Sequence, residues 1–332
     1  MTASLRRIRP AIPALVAALV GTLASTFLGP PAGAMEPYRS PRTSWGDPDI
    51  QGVYTNNTNV PYERPQELGS KAVYTDAEYE KRRNAPAVVE TTTVVTDVHY
   101  QTSDFGLDPD QSRMVRNPRT SILSQPANGR MPPLRADARQ RSDAARARQQ
   151  ARAFDSAQDR PLQERCLLWA HEGPPLRPVG YNTLVQITQG RGYVVLMTEM
   201  VHDARVIPLS KTRPDFGGLS RWQGNSWGRW DGDTLTIETT GVSDKVLPRG
   251  SAVPMGPEGK IIEKITRTGP GVLRYAFTVS DPSLWDETWG GEFPLEITPD
   301  PLFEYACHEG NYGLPNTLRG AREDEKAKRT SP

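Results

Sequence analysis

From residue 181 onward the chain breaks into short runs in which β-branched and apolar residues alternate with polar ones, each bounded by Gly, Pro, Asn or Asp. Alternation of this kind puts every second side chain on one face, the period of a strand. The pattern predicts strands over 181–189, 192–200, 204–209, 234–240, 260–268, 272–280, 291–297 and 302–307. Three links, Gln189-Gly190-Arg191-Gly192, Trp230-Asp231-Gly232-Asp233 and Thr268-Gly269-Pro270-Gly271, are compact enough to fold one strand back on the next. The expected fold is therefore mainly β, an antiparallel meander of about eight strands, the number that closes a small barrel with room for side chains or one small ligand.

The part before these runs has a different texture. Residues 35–65 are rich in Pro, Asn and Gly without a sustained period and read as an extended arm, with a short strand at 50–55. Thr75-Asp76-Ala77-Glu78 has the form of a capping box opening a short helix to about residue 83. Residues 87–100 alternate and predict a strand, 117–134 return to turn residues, and 135–154 are nearly all Ala, Arg, Gln, Asp and Ser, which predicts a solvated helix with almost no apolar face. The organisation expected is a leader over 1–34, an arm with short helices and strands over 35–160 packing on a barrel over 161–320, and a disordered tail over 321–332.

The leader follows from Arg6, Arg7 and Arg9 ahead of an apolar run over 11–28, closed by Ala32-Gly33-Ala34. That is the layout of a secretory signal cleaved near Ala34, so the mature protein is expected to be periplasmic or secreted, with no stable membrane span. The run is short for a span and is interrupted by Pro13 and Gly21. The pair Arg6-Arg7 resembles a twin-arginine signal, but Ile8-Arg9-Pro10 departs from it, so the export route stays open.

Composition removes some partners. With 40 Lys and Arg against 39 Asp and Glu the net charge is +1, so no global field draws the chain to nucleic acid or to an anionic membrane. The 31 Pro and 28 Gly show no period and signal loops rather than a repeat architecture. The chain has 2 cysteines, Cys166 and Cys307, and in an oxidising compartment they are expected to form a disulfide. A metal set with His171 and His308 is the rival, but neither cysteine has a second one two to four residues away, as zinc motifs require.

Several motifs carry a resemblance. Trp230-Asp231-Gly232-Asp233-Thr234-Leu235 with Glu238-Thr239-Thr240-Gly241, the segment Glu199-Met200-Val201-His202-Asp203-Ala204-Arg205, and Tyr305-Ala306-Cys307-His308-Glu309-Gly310-Asn311-Tyr312-Gly313 resemble a family of secreted bacterial proteins. Pro48-Asp49-Ile50-Gln51-Gly52, Glu63-Arg64-Pro65, Glu164-Arg165-Cys166 and Asp281-Pro282 extend the likeness over nearly all of the mature chain. The resemblance implies a lipocalin-like (calycin-type) barrel and no particular activity.

Candidate chemistry concentrates in three places. At the end of the apolar run 192–207 stand Glu199, His202, Asp203 and Arg205, which if covered must pair, with Arg205 as the shared cation. They read either as a catalytic cluster in which His202 or Asp203 moves a proton, or as an ion-pair network pinning a strand crossing. His308, Glu309, Asn311 and Tyr312 follow Cys307 and would be tethered by the disulfide near Trp169 and His171. Trp222, Trp227 and Trp230, with Trp285 and Trp289, either stack on a flat ligand or plug the barrel.

No Gly-x-Ser-x-Gly elbow, P-loop, dinucleotide fingerprint or His-Glu-x-x-His is present, so the reading carries no cofactor and no metal. The expectations for function are a barrel that binds a small apolar or aromatic molecule, a cofactor-independent acid/base enzyme (lyase, isomerase or hydratase) using Glu199, His202, Asp203 and Arg205, or a structural or envelope-interaction protein. A metal-dependent hydrolase using His202, Asp203, His308 or Glu309 is a variant of the second.

Overall fold

The computed structural model describes residues 38–58, 60–83, 115–169, 172–178, 182–243, 255–256 and 258–330. The strands are β1 Gly52–Thr55, β2 Leu123–Gln125, β3 Leu184–Gly190, β4 Tyr193–Thr198, β5 Ala204–Pro208, β6 Asn225–Asp231, β7 Thr234–Thr240, β8 Lys260–Gly269, β9 Val272–Ser280 and β10 Trp289–Ile297. The α-helices are α1 Asp76–Arg83, α2 Ala136–Ala151 and α3 Gly313–Thr330. No helix among the described residues is long and apolar enough to cross a membrane.

One sheet runs in the order β5-β4-β3-β1-β10-β9-β8-β7-β6, with β2 added to β10. Pairs within this path are antiparallel. Its two ends meet at a parallel bridge between Leu209 and Gly228, where the Ser210 N–H donates to the Gly228 carbonyl at 2.8 Å. The result is a nearly closed β-barrel, as expected, assembled from two meanders rather than one. β3 to β5 and β6 to β10 are joined on one side by β1 and on the other by the Leu209–Gly228 seam.

Register fixes which side chains face inward. Leu235, Ile265, Tyr275 and Phe293 form one layer across β7 to β10, and Thr239, Ile261, Val279 and Trp289 form another. With Val185, Ile187, Val194, Leu196 and Ile207 from the other meander they make a contiguous core. Each fully buried Leu, Ile or Val contributes roughly 1.5–3 kcal/mol relative to exposure. The inward positions of the barrel are thus spent on packing against one another.

The sequence-predicted elements compare closely where alternation is clean. The strands at 234–240 and 272–280 match β7 and β9 end to end, and the Gly232 turn between β6 and β7 adopts φ 59°, the left-handed backbone that glycine allows. The capping box forms, with Thr75 N–H donating to Glu78 Oε2 at 2.9 Å and Glu78 N–H to Thr75 Oγ1 at 3.4 Å. The strand expected at 87–100 and the leader lie outside the described residues.

Other expectations need correction. The arm does more than pack on the barrel: β1 lies between β3 and β10 and completes the sheet. β6 has no counterpart among the expected strands, because Asn225 and Gly228 are residue types depleted in strands, yet Gly228 is what the seam needs. A Cβ there would meet Leu209 Cδ2 at 3.1 Å and Ile207 Cγ2 at 3.2 Å.

Residues 302–307, expected as a strand, belong to no sheet strand, and Phe303 is 67% exposed. The neighbouring β10 already has β1, β2 and β9 as partners, so no ladder edge is open to them. Residues 321–330, expected as a disordered tail, continue α3. The pairs Arg322–Glu325 and Glu323–Lys326 and the basic last turn favour that helix, and Arg322 ties it to the Phe154 carbonyl at 2.6 Å.

Candidate functional site

The described stretches 161–169 and 172–178 cover part of the barrel and are each anchored to the rest of the fold. Cys166 is bonded to Cys307, with their Cα atoms 5.7 Å apart, and Leu176 sends its N–H into the interior to Tyr275 Oη at 2.8 Å. Both sulfurs are therefore committed to each other rather than to a metal. Leu168 and Leu176, within this cover, are themselves buried.

Under it lies a sealed ion pair. Arg205 forks onto Glu263, Nη1 to Oε2 at 2.6 Å and Nη2 to Oε1 at 2.8 Å, and the Tyr275 hydroxyl donates to Glu263 Oε1 at 2.6 Å. Burial opposes the Arg205 charge, but attraction to Glu263 outweighs it and raises the guanidinium pKa. The Tyr275 hydroxyl is pushed well above the usual tyrosine value, first by burial and then by the Glu263 charge. A bidentate pair inside a packed core is a structural brace.

The sequence-derived quartet consequently separates. Arg205 faces inward to Glu263, not to the other three, and Glu199 extends the β3–β4 ladder, its N–H donating to the Leu184 carbonyl at 2.9 Å while its Oε2 accepts the Leu184 N–H at 3.2 Å. The reason is parity. Positions 205 and 207 share the inward face with 194 and 196, whereas 199–202 form the link beyond the strand end.

His202 and Asp203 stay at the barrel mouth. The link between β4 and β5 is closed by the Thr198 N–H donating to the Asp203 carbonyl at 3.1 Å and the His202 N–H to the Glu199 carbonyl at 3.1 Å. It holds Val201 at φ 62° and His202 at φ 61°. Two successive non-glycine residues in the left-handed region, one β-branched, store backbone strain of about 1–3 kcal/mol each. His202 Nδ1 is buried and has no hydrogen-bond partner among the described residues.

The residue that gathers this corner was not among the sequence-derived candidates. Glu172, 2% exposed, accepts the Trp169 N–H on Oε1 at 3.0 Å and the Gln223 amide on Oε2 at 3.3 Å. The same Gln223 nitrogen donates to Asp203 Oδ2 at 3.2 Å. Burial, reinforced by the Asp203 charge, pushes the Glu172 carboxyl up to about 8 against the two donated hydrogen bonds. Glu172 is thus held as a neutral acid at pH 7, with a second carboxyl sharing its amide donor. Glu172 stands two residues before a Pro-Pro pair and next to His171, a sequence signal too weak to single it out, because its chemistry comes from burial.

The remaining candidates fall into two groups. Trp285 and Trp289 are core residues, packed edge to face at 5.5 Å, with Trp289 also edge-on to Phe277 at 6.2 Å. Trp227 is buried on the outer face under Phe216 and Arg213, while Trp222 and Trp230 are half-buried. Trp230 packs against the core. These rings plug and cover the barrel rather than presenting a flat face. Near the disulfide, Asn311 donates to the Glu164 carbonyl at 3.0 Å, Glu309 and His308 are exposed, and Tyr312 is 73% exposed.

Among the described residues no three His, Cys, Asp or Glu side chains gather as a metal ion would require. Matched against protein-family models and against curated proteins, the chain finds no relative in either comparison.

Proposed function

We propose that the chain is an exported, periplasmic or secreted protein whose barrel mouth carries out acid/base chemistry on a small molecule without a cofactor. Glu172 is the proton donor and acceptor, with Asp203 and His202 as its partners. The observation that carries this reading is the burial of Glu172 at hydrogen-bonding distance from the amide that also binds Asp203. A carboxyl whose pKa sits near the working pH gives and takes a proton with the least cost. The strained link that positions His202 supports the same reading, since strain persists where surrounding structure enforces it. Export is supported by the basic-apolar-small layout of residues 1–34 and by the disulfide.

The test follows solvent deuterium entering a panel of small ketones, hydroxy acids and α,β-unsaturated acids by proton NMR in D₂O. Wild type should accelerate exchange or addition on one class, and Glu172→Gln and Asp203→Asn should lose it while remaining folded. Equal rates in wild type and both variants across the panel would overturn the proposal. The second reading, capture of an apolar or aromatic molecule, draws support from Trp169 and Tyr305 at a groove beside the disulfide rather than from the packed lumen.

A further inference from the structure

A groove of about 380 Å³ lies against the Cys166–Cys307 disulfide, and its lining includes none of Glu172, Asp203 and Gln223. Its walls combine two aromatic residues, Trp169 and Tyr305, with two acidic ones, Glu164 and Glu309, and no Lys, Arg or His is among the described residues that line it. The shape is fixed before any ligand arrives. Cys307 is covalently bound to Cys166, and the Asn311 amide donates to the Glu164 carbonyl at 3.0 Å and touches Cys166 Sγ at 3.5 Å. A site held this way loses little entropy on binding.

The two carboxylates are not equivalent. Glu164 is already answered by Arg160, which forks onto it at 2.8 and 2.7 Å. Glu309 is exposed, and while its N–H binds the Ala306 carbonyl at 3.0 Å, its side chain makes no ion pair among the described residues. One uncompensated negative charge beside two aromatic residues matches a cation with an apolar shell, the charge answering the carboxylate and the shell lying on the rings. A hard metal ion would find too few oxygens and no use for the rings. A neutral sugar would use the rings but leave the charge unanswered.

We infer that this groove binds an organic cation of the alkylammonium class. The site is independent of proton transfer at Glu172, although Trp169 links the two, lining the groove while its N–H holds the Glu172 carboxyl.

Isothermal titration calorimetry of the full mature chain with choline, and with its neutral isostere 3,3-dimethyl-1-butanol, tests the inference. Choline should bind saturably at one site and at least about tenfold more tightly than the isostere, as a cation–π contact plus a carboxylate provide together. Glu309→Gln should weaken choline by about fivefold or more and leave the isostere unchanged. Trp169→Ala should remove binding of both. Glu304→Gln, exposed and outside the groove lining, serves as the control for general electrostatics and should change neither. No saturable choline binding, equal affinity for choline and its isostere, or a Glu309→Gln effect no larger than that of Glu304→Gln would each overturn the inference.

Discussion

Glu172 and Asp203 are bound by a single donor, Nε2 of Gln223, at 3.3 Å on one side and 3.2 Å on the other. The three residues come from the cover segment, the link between β4 and β5 and the link before β6, so the contact stitches together the elements that meet at the barrel mouth. One amide between two carboxyls is favoured when the buried one, Glu172, keeps its proton, because its charge would be cut off from water and would face that of the exposed Asp203.

This arrangement makes stability depend on pH in a definite direction. The folded Glu172 carboxyl titrates near 8 and the unfolded one at its ordinary value of 4.5, so between those values the native state holds a proton that the unfolded chain has released. Stability then falls as pH rises through that window and levels off above it, by up to about 5 kcal/mol in total. Urea unfolding of wild type and Glu172→Gln at pH 5, 7 and 9 checks it. The variant should lose most of the decline between pH 5 and 9, and a parallel decline in both proteins would assign it to other groups.

The core ion pair yields a second prediction. Removing one partner, as in Arg205→Met or Glu263→Leu, should cost about 3–5 kcal/mol, because it leaves a buried charge unanswered. Removing both should cost less than either single change plus the other. A double-mutant cycle by chemical denaturation measures this, and additive losses would mean the two groups do not depend on each other.

A third concerns the strained link. Val201→Gly relieves a left-handed β-branched residue, so unfolding measurements should show it within about 1 kcal/mol of wild type or more stable, unlike Val→Gly at an ordinary position. If the strain positions His202 for proton transfer, the same variant should lower the rate of deuterium exchange. A large loss of stability would show that Val201 is not strained.

What the sequence disclosed, and what it hid, divides along physical lines. β7 and β9 were legible to the residue because in each the sequence alternates apolar or aromatic with polar residues over most of its length, and the capping box at Thr75 and Glu78 is a local motif. Glu263 was legible in principle, since Ile261, Glu263 and Ile265 share one parity and a charge on an apolar face must have a partner. Its pairing with Arg205 was not, because the two lie on strands whose juxtaposition depends on the seam at Gly228. Glu172 was hidden altogether. Its raised pKa is made first by burial and then by the Asp203 charge, against the hydrogen bonds from Trp169 and Gln223, a setting that only tertiary packing creates.

The disulfide supplies the fourth prediction. It spans a sequence separation of 141 and joins the cover segment to the chain leaving the barrel. Cys166→Ser or Cys307→Ser should lower stability by about 2–5 kcal/mol, the chain-entropy value for so long a loop standing near the top of that range. Loss of the bond should also free the segment 308–313, so choline affinity at the neighbouring groove should fall more than stability alone accounts for. Variants as stable as wild type would leave the bond without the anchoring role given to it here.

The most direct test of the account is the titration of Glu172 itself. Carbon-13 NMR of the side-chain carboxyls in protein labelled at glutamate, assigned by comparison with Glu172→Gln, reads its protonation between pH 3 and 10. The account predicts a midpoint at about 8, with the neighbouring Gln223 amide signal moving at the same pH. A midpoint in the usual carboxylate range near 4.5 would contradict it, because Glu172 would then be fully ionised at neutral pH and could not be the acid on which the proposed chemistry depends.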